Sequence, residues 1–381
     1  MPLIDSFGRT IDYLRVSVTD RCNFRCIYCM PEEGAPIAPG ADLLSAEELI
    51  RIISVASRLG MRKIRFTGGE PLVRKDLVQI IQCTAKLSGI EEISLTTNGF
   101  LLKPIVDKLT NAGLNRINIS LDTLKHDRFV SIARRGSLAE VLDGIEASLA
   151  AGLHPVKLNC VVMRGWNEDE ILDFAQLSLE RKIDVRFIEL MPINWSAGDD
   201  SPRSEAWNIT SQPTITSTGN RLTLYANAEL ETFRQSFQSI DPTEVKGQLD
   251  ANQMRRAFVS TDEILRAIEK RFGSMVPTEV LVNGPARSYQ IPGATGTISF
   301  ISQITNDMCK NCNRLRLTAD GQLRPCLMAD GEVDLRTHLR TGADDEQLAE
   351  LFRITVLHKP AEHRLEDGLA PIGRNMSQLG G

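Results

Sequence analysis

The sequence predicts an α/β protein: a partial, open (β/α) barrel of six strands, followed by a C-terminal β-rich layer. Three observations predict it. Between residues 13 and 191, short apolar runs alternate with longer stretches of helical spacing. The runs number six, too few for the closed eight-stranded barrel. Past Trp195 the alternation stops, and closely spaced strand runs with turn signals appear only further on.

The strand runs fall at residues 13–19, 63–67, 91–97, 116–121, 156–163 and 185–191. Helical segments between them imply parallel strands joined by right-handed crossovers. Ser45 followed by Glu48 forms a capping box, opening a helix with Leu49, Ile52, Ile53, Ala56 and Leu59 on one side and Gly60 at its stop. Asn167 with Glu170 reads as a second cap, starting a helix through Leu172, Phe174, Ala175 and Leu179. Residues 196–253 are rich in Ser, Thr, Asn, Gln and Pro, and read as an insertion or mobile loop with a short helix near 229–239. A helix over 261–272 follows, then strands near 280–282, 287–291 and 297–301. Turn signals at Asn283-Gly284 and Pro292-Gly293 make antiparallel pairing the expectation there. The chain thus divides into 1–195, 196–258 and 259–381.

Bulk properties exclude several function classes. At 381 residues and 42% hydrophobic content the chain can bury a large core. A net charge of -5 argues against a general nucleic-acid binder but not against a small anionic ligand. No apolar run approaches the ~18 residues of a membrane span, and the first residues lack a secretory layout. A cytoplasmic protein without membrane or nucleic-acid partners is the expectation.

The eight cysteines are unevenly spread. Cys22, Cys26 and Cys29 sit on the loop after the first strand, at the end where parallel α/β barrels collect their active sites. Three thiolates there can hold three corners of a cubane cluster and leave one iron open to a ligand. A zinc site completed by a fourth, distant ligand is the alternative. Gly68-Gly69 follows the second strand and lets the backbone come close to a ligand. Cys309, Cys312 and Cys326 make a second group, the last lying beyond an Asp320-Gly321 turn. This group fits either a three-thiolate cluster site or a metal knuckle that staples a β-layer. Alternation in Arg314, Leu315, Arg316 and Leu317 aims two guanidinium groups to one side of a strand, as a phosphate- or purine-bearing ligand requires. Cys83 and Cys160 read as packed thiols, and the histidines show no ligand spacing.

The cysteine loop, with Tyr28 before its last thiol, and the Gly68-Gly69-Glu70-Pro71 segment resemble the radical S-adenosylmethionine superfamily. With FTGGEPLVRKD, TTNG, INISLDTL, KLNCVVMRGWN, RFIELMP, CNRLRLT and the closing Gly380-Gly381, the chain resembles the GTP 3′,8-cyclase family. That resemblance implies a [4Fe-4S] cluster on Cys22, Cys26 and Cys29, which binds S-adenosyl-L-methionine, and a second on Cys309, Cys312 and Cys326, whose open iron binds guanine. Tyr28, Gly69, Ser120 and Met191 match cofactor positions. Arg15, Arg65, Thr96, Lys157, Arg314, Leu315 and Arg316 match GTP positions, with Arg186 a further basic contact. No side chain is assigned as a catalytic group. The implied reaction is that of a lyase. An external electron donor drives cleavage of S-adenosylmethionine, and the resulting radical takes hydrogen from C3′ of GTP. Attack of the ribose radical on C8, followed by a one-electron reduction and protonation, gives (8S)-3′,8-cyclo-7,8-dihydroguanosine 5′-triphosphate, the first step of molybdenum cofactor biosynthesis. The product then passes to the next enzyme, and the protein is a monomer or homodimer. Residues 196–253 depart from the family, which has a shorter connection there, and read as a surface insertion. The rival readings are a peptide-modifying radical enzyme and a zinc-stabilised binding protein.

Overall fold

The computed structural model describes residues 2–34, 38–191, 207–208, 245, 247–278, 286–305, 308–329, 331–363, 374 and 376–379. Strands β1 (Leu3–Ile4) and β2 (Thr10–Ile11) form a small antiparallel pair. The six expected strands are β3 (Tyr13–Ser17), β4 (Lys63–Thr67), β5 (Glu92–Thr97), β6 (Arg116–Ser120), β7 (Val156–Val162) and β8 (Ile183–Glu189). They lie side by side in chain order, all parallel. Helices connect them, as right-handed crossovers require.

The later strands are β9 (Trp207–Asn208), β10 (Val276–Pro277), β11 (Arg287–Gln290), β12 (Thr297–Ile301), β13 (Arg314–Leu317), β14 (Gln322–Arg324) and β15 (Gly331–Asp334). They extend the main sheet at both of its edges. β12 adds parallel to β8, with β11 antiparallel beyond it, while β13 adds parallel to β3, with β14 antiparallel beyond. The physical reason is edge satisfaction: β3 and β8 would otherwise each present an unpaired row of N–H and C=O groups. The connection from β12 to β13, residues 302–313, therefore runs from one edge of the six-stranded unit to the other. It carries Cys309 and Cys312.

Two sequence expectations about caps came out differently. Ser45 Oγ accepts from Glu48 N (3.2 Å) and the Glu48 carboxylate accepts from Ser45 N (2.8 Å), so the first box is present. The helix Ala46–Arg58 buries Leu49, Ile52, Ile53 and Ala56 completely. Asn167 makes no cap. Its side chain accepts from Met163 N (2.7 Å) and donates to Asp122 O (2.7 Å) and Val161 O (2.9 Å). Glu170 is likewise occupied, accepting from Thr123 Oγ1 and Leu124 N. The helix Ile171–Glu180 thus starts after a 3-10 turn, because tertiary partners outcompete the local cap.

The helix Thr261–Phe272 has the predicted bounds. The expected helix near 229–239 and strand near 280–282 lie outside the described residues, as do Gly380 and Gly381. Residues 247–257 are ordered, with an Asp250–Gln253 capping box opening a helix Ala251–Arg256. Among the described residues no helix is long and apolar enough to cross a membrane.

Candidate functional site

A parallel sheet covered by helices is normally apolar on both faces, and here only one face is. Leu14, Val16, Ile64, Phe66, Leu95, Ile117, Leu158, Val185, Phe187 and Phe300 form the apolar layer. The alternate positions form a polar face. Register puts Arg316, Arg15 and Arg65 directly opposite one another on three neighbouring parallel strands. Ser94 comes next in line and accepts from Arg65 Nε at 3.2 Å. A second row runs Thr96 and Asn118, then Lys157, then Asp184.

Like charges in register repel and lose solvation, so the ladder is held at a cost. Burial first, then the Arg316 and Arg65 charges, pull Arg15 well below its ordinary pKa. Arg316 falls to about 9 for the same first reason, with Arg314 next. Burial and then Arg186 bring Lys157 down to about 6. Asp184 offsets part of this charge, accepting from Arg186 Nε at 2.6 Å and from Ser299 Oγ at 2.6 Å. The surplus stays positive, and a polyanionic ligand is the partner it suits.

The first cysteine loop is moulded against the Gly-Gly turn. Gly69 N donates to Thr19 O (2.8 Å) and Glu70 N to Arg21 O (2.8 Å). A Cβ on Gly69 would stand 2.3 Å from Arg21 O, and one on Gly68, whose φ is +146°, would stand 2.3 Å from Thr19 O. The two glycines are thus required by the approach of the cysteine loop itself. Glu70 anchors the turn by accepting from Leu72 N, Thr97 Oγ1 and Asn98 N, and burial lifts its pKa to about 7. Tyr28 OH donates to Asp122 Oδ2 at 2.8 Å. Burial raises the Cys22 thiol to about 11, and raises Cys29 to about 12 with Cys22 the next cause.

The second group lines a small pocket beside β13. Cys309, Cys312 and Cys326 share its wall with Arg314, Arg316 and Lys359. Burial alone would raise Cys312, but Arg314 and Lys359 bring its pKa down to about 6. The helix Met376–Leu379 reaches both groups. The Ser377 backbone donates to Cys29, and Arg316 Nη1 donates to Leu379 O at 3.2 Å.

All eight cysteines are free thiols. Among the described residues no three Cys, His, Asp or Glu side chains converge as ligands of a single ion. A cubane cluster is several ångströms across and spaces its thiolates more widely. The N–H donors already aimed at sulfur, Phe24 N on Cys22 and Met328 N on Cys326 (both 3.4 Å), suit thiolate ligands. The donor set therefore fits iron–sulfur clusters.

The structure brings most predicted residues together. Arg15, Arg65, Thr96, Lys157, Arg186, Arg314 and Arg316 share the polar face, and Ser120 closes β6 opposite Asn159. Met191 packs against the Leu327, Met328 and Leu379 cluster, next to Cys326. Leu315 differs: its side chain is fully buried in the apolar layer, so only its backbone is offered to the polar face. Sequence reasoning missed Asp122, Lys359 and Glu189. Asp122 sits in the INISLDTL stretch just past a strand end, a legible signal. A lone lysine after a helix carries none.

Residues 16–178 match the Radical SAM superfamily and residues 243–365 match Molybdenum Cofactor Synthesis C. The GTP 3′,8-cyclase of Moorella thermoacetica is 44% identical over 377 residues, covering 99% of each chain. That of Desulforamulus reducens is 43% identical over 381 residues, covering 100% of each. The crystal structure of Streptococcus suis SuiB bound to S-adenosylmethionine shares the fold, with a TM-score of 0.50 at 14% identity, over 91% of this chain and 69% of that one. Near-complete alignment at this identity, with both cysteine groups intact, leaves one conclusion: the chain belongs to the GTP 3′,8-cyclase family of the radical S-adenosylmethionine superfamily.

Proposed function

We propose that the protein is a GTP 3′,8-cyclase, a lyase that converts GTP to (8S)-3′,8-cyclo-7,8-dihydroguanosine 5′-triphosphate in the first step of molybdenum cofactor biosynthesis. One observation carries the reading: the in-register Arg316–Arg15–Arg65 ladder meets the second cysteine group at Arg316, and the strand that carries Arg15 leads directly into the first cysteine loop. Six parallel strands in chain order support a partial barrel, with 1–195, 196–258 and 259–381 as its working divisions.

Cys22, Cys26 and Cys29 would hold the cluster that binds S-adenosyl-L-methionine, with Tyr28, Gly69, Ser120 and Met191 around the cofactor. Cys309, Cys312 and Cys326 would hold the second cluster. When bound, these groups would relay electrons from an external donor and, with S-adenosyl-L-methionine, supply a hydrogen-abstracting radical. The chain's own work is binding and orientation. Arg15, Arg65, Lys157 and Arg186 take the triphosphate, and Arg314 and Arg316 hold the nucleoside end near the second loop, beside the Leu315 backbone. Thr96, linked to Asn118 Nδ2 at 3.3 Å, offers a neutral contact between the two. Fixing the ribose in this way turns an intermolecular step into an oriented one. The helix Met376–Leu379 contacts Cys29 through the Ser377 backbone and Arg316 through Leu379 O, and so bridges the two ends of the site. An external donor supplies electrons, and the product leaves to the next enzyme of the pathway.

The test is anaerobic reconstitution, then incubation with S-adenosylmethionine, dithionite and GTP. A product of the same mass as GTP, formed with 5′-deoxyadenosine, is expected. Formation of 5′-deoxyadenosine with GTP unchanged would remove the substrate and keep the superfamily.

A further inference from the structure

Each loop of the second cysteine group has a backbone carbonyl taken up by a buried cation from a distant part of the chain. Arg9 Nη1 donates to Cys309 O at 2.8 Å, and Asp5 neutralises Arg9 at 2.5 Å. Lys359 is only 3% exposed and follows the helix Asp345–Leu357. Its Nζ donates to Arg314 O at 2.9 Å and to Pro325 O at 2.6 Å. Arg314 lies two residues past Cys312, and Pro325 immediately precedes Cys326. One ammonium group thus spans the two loops.

Lys359 differs from Arg9 in its charge balance. Among the described residues no carboxylate pairs with it, and its Nζ donates to two neutral carbonyls. A buried ammonium with neutral partners alone is costly, and an anion close by relieves the cost. The pocket it lines contains the three thiols and no described carboxylate.

We propose that Lys359 is a positioning residue of the second cysteine site. It fixes the separation of the loops that carry Cys312 and Cys326, and it supplies the positive charge that tunes the cluster bound there. The proposal rests on the reading that Cys309, Cys312 and Cys326 hold an iron–sulfur cluster. A nearby positive charge stabilises the reduced, more negative state, so removing it lowers the reduction potential.

The experiment uses the full chain with Cys22, Cys26 and Cys29 replaced by alanine, so that only the second cluster reports. Iron content and an EPR-monitored redox titration are compared for this parent, Lys359→Gln and Lys359→Arg. A parent without a cluster would sink the underlying reading rather than this inference. Given a cluster in the parent, Lys359→Gln is expected to shift the midpoint to lower potential, or to lose the cluster, while Lys359→Arg stays near the parent. An unshifted midpoint at full iron content in Lys359→Gln would overturn the proposal. Equal cluster loss in both variants would overturn it too, since shape rather than charge would then be what matters.

Discussion

At the scale of single residues, Lys157 shows what a cation does when it is buried among other cations. Its Nζ has no hydrogen-bond partner among the described residues, and burial followed by the Arg186 charge holds its pKa at about 6. The sign follows from proton counting. Between about 6 and the ordinary lysine value the ligand-free folded protein keeps Lys157 neutral, while the unfolded chain binds a proton there. Stability from this residue therefore rises with pH across that window. A triphosphate placed on the same face reverses the preference, because an adjacent anion favours the ammonium form. GTP binding at pH 8 is expected to take up close to one proton per site, and Lys157→Met to abolish that uptake. Calorimetry in two buffers of different ionisation heat measures it. A binding heat independent of buffer in the wild-type protein would contradict the assignment of Lys157 to the triphosphate.

At the scale of elements, the two capping patterns separate what local sequence encodes from what it does not. Ser45 and Glu48 bond each other as expected. The cap survives although Glu48 also accepts from Arg340 Nε (2.7 Å) and Nη2 (3.0 Å), because those contacts leave Glu48 Oε2 within reach of Ser45 N. Asn167 and Glu170 carry the same local pattern, yet both serve the 122–124 loop and the end of β7. Their substitutions should therefore differ. Ser45→Ala is expected to cost about 1 kcal/mol, the ordinary loss of a cap. Asn167→Ala removes two buried hydrogen bonds and a part-buried third, and is expected to cost roughly 2–4 kcal/mol. Urea unfolding of the two variants decides it, and equal losses would mean that the Asn167 bonds contribute little. The strands show the same division. Those from β3 to β8 were legible because period, composition and spacing are local properties. The destinations of β12 and β13, at opposite edges of one sheet, were not, because a strand's own residues do not name its neighbour. The cysteine groups and Arg314/Arg316 stood out by spacing alone, whereas Lys359 acts through carbonyl contacts that leave no pattern in the sequence.

At the scale of the whole molecule, a chain of net charge -5 keeps a cationic face that Asp184 only partly offsets, while other carboxylates work as buried clamps elsewhere. Glu189, at the end of β8, ties the six-stranded unit to the C-terminal region. Its Oε1 accepts from Thr261 N (3.1 Å), Thr261 Oγ1 (3.2 Å) and Thr305 Oγ1 (2.5 Å), and its Oε2 from Ile304 N (2.9 Å) and Thr305 N (3.1 Å). Every one of these partners is a donor, so only an acceptor on both oxygens satisfies them. The clamp sits two residues before Met191 and at the root of the 302–313 connection, where the position of the second cysteine loop is set relative to the first. Glu189→Gln keeps the shape but turns an amide N–H₂ toward backbone donors or leaves them unmet. It is expected to cost roughly 2–4 kcal/mol and to reduce iron bound by the second group more than by the first. Urea unfolding gives the stability, and iron analysis in backgrounds lacking one or the other set of thiols separates the clusters. If the midpoint and both iron contents matched the parent, the two cysteine loops would be set in register by something other than this carboxylate.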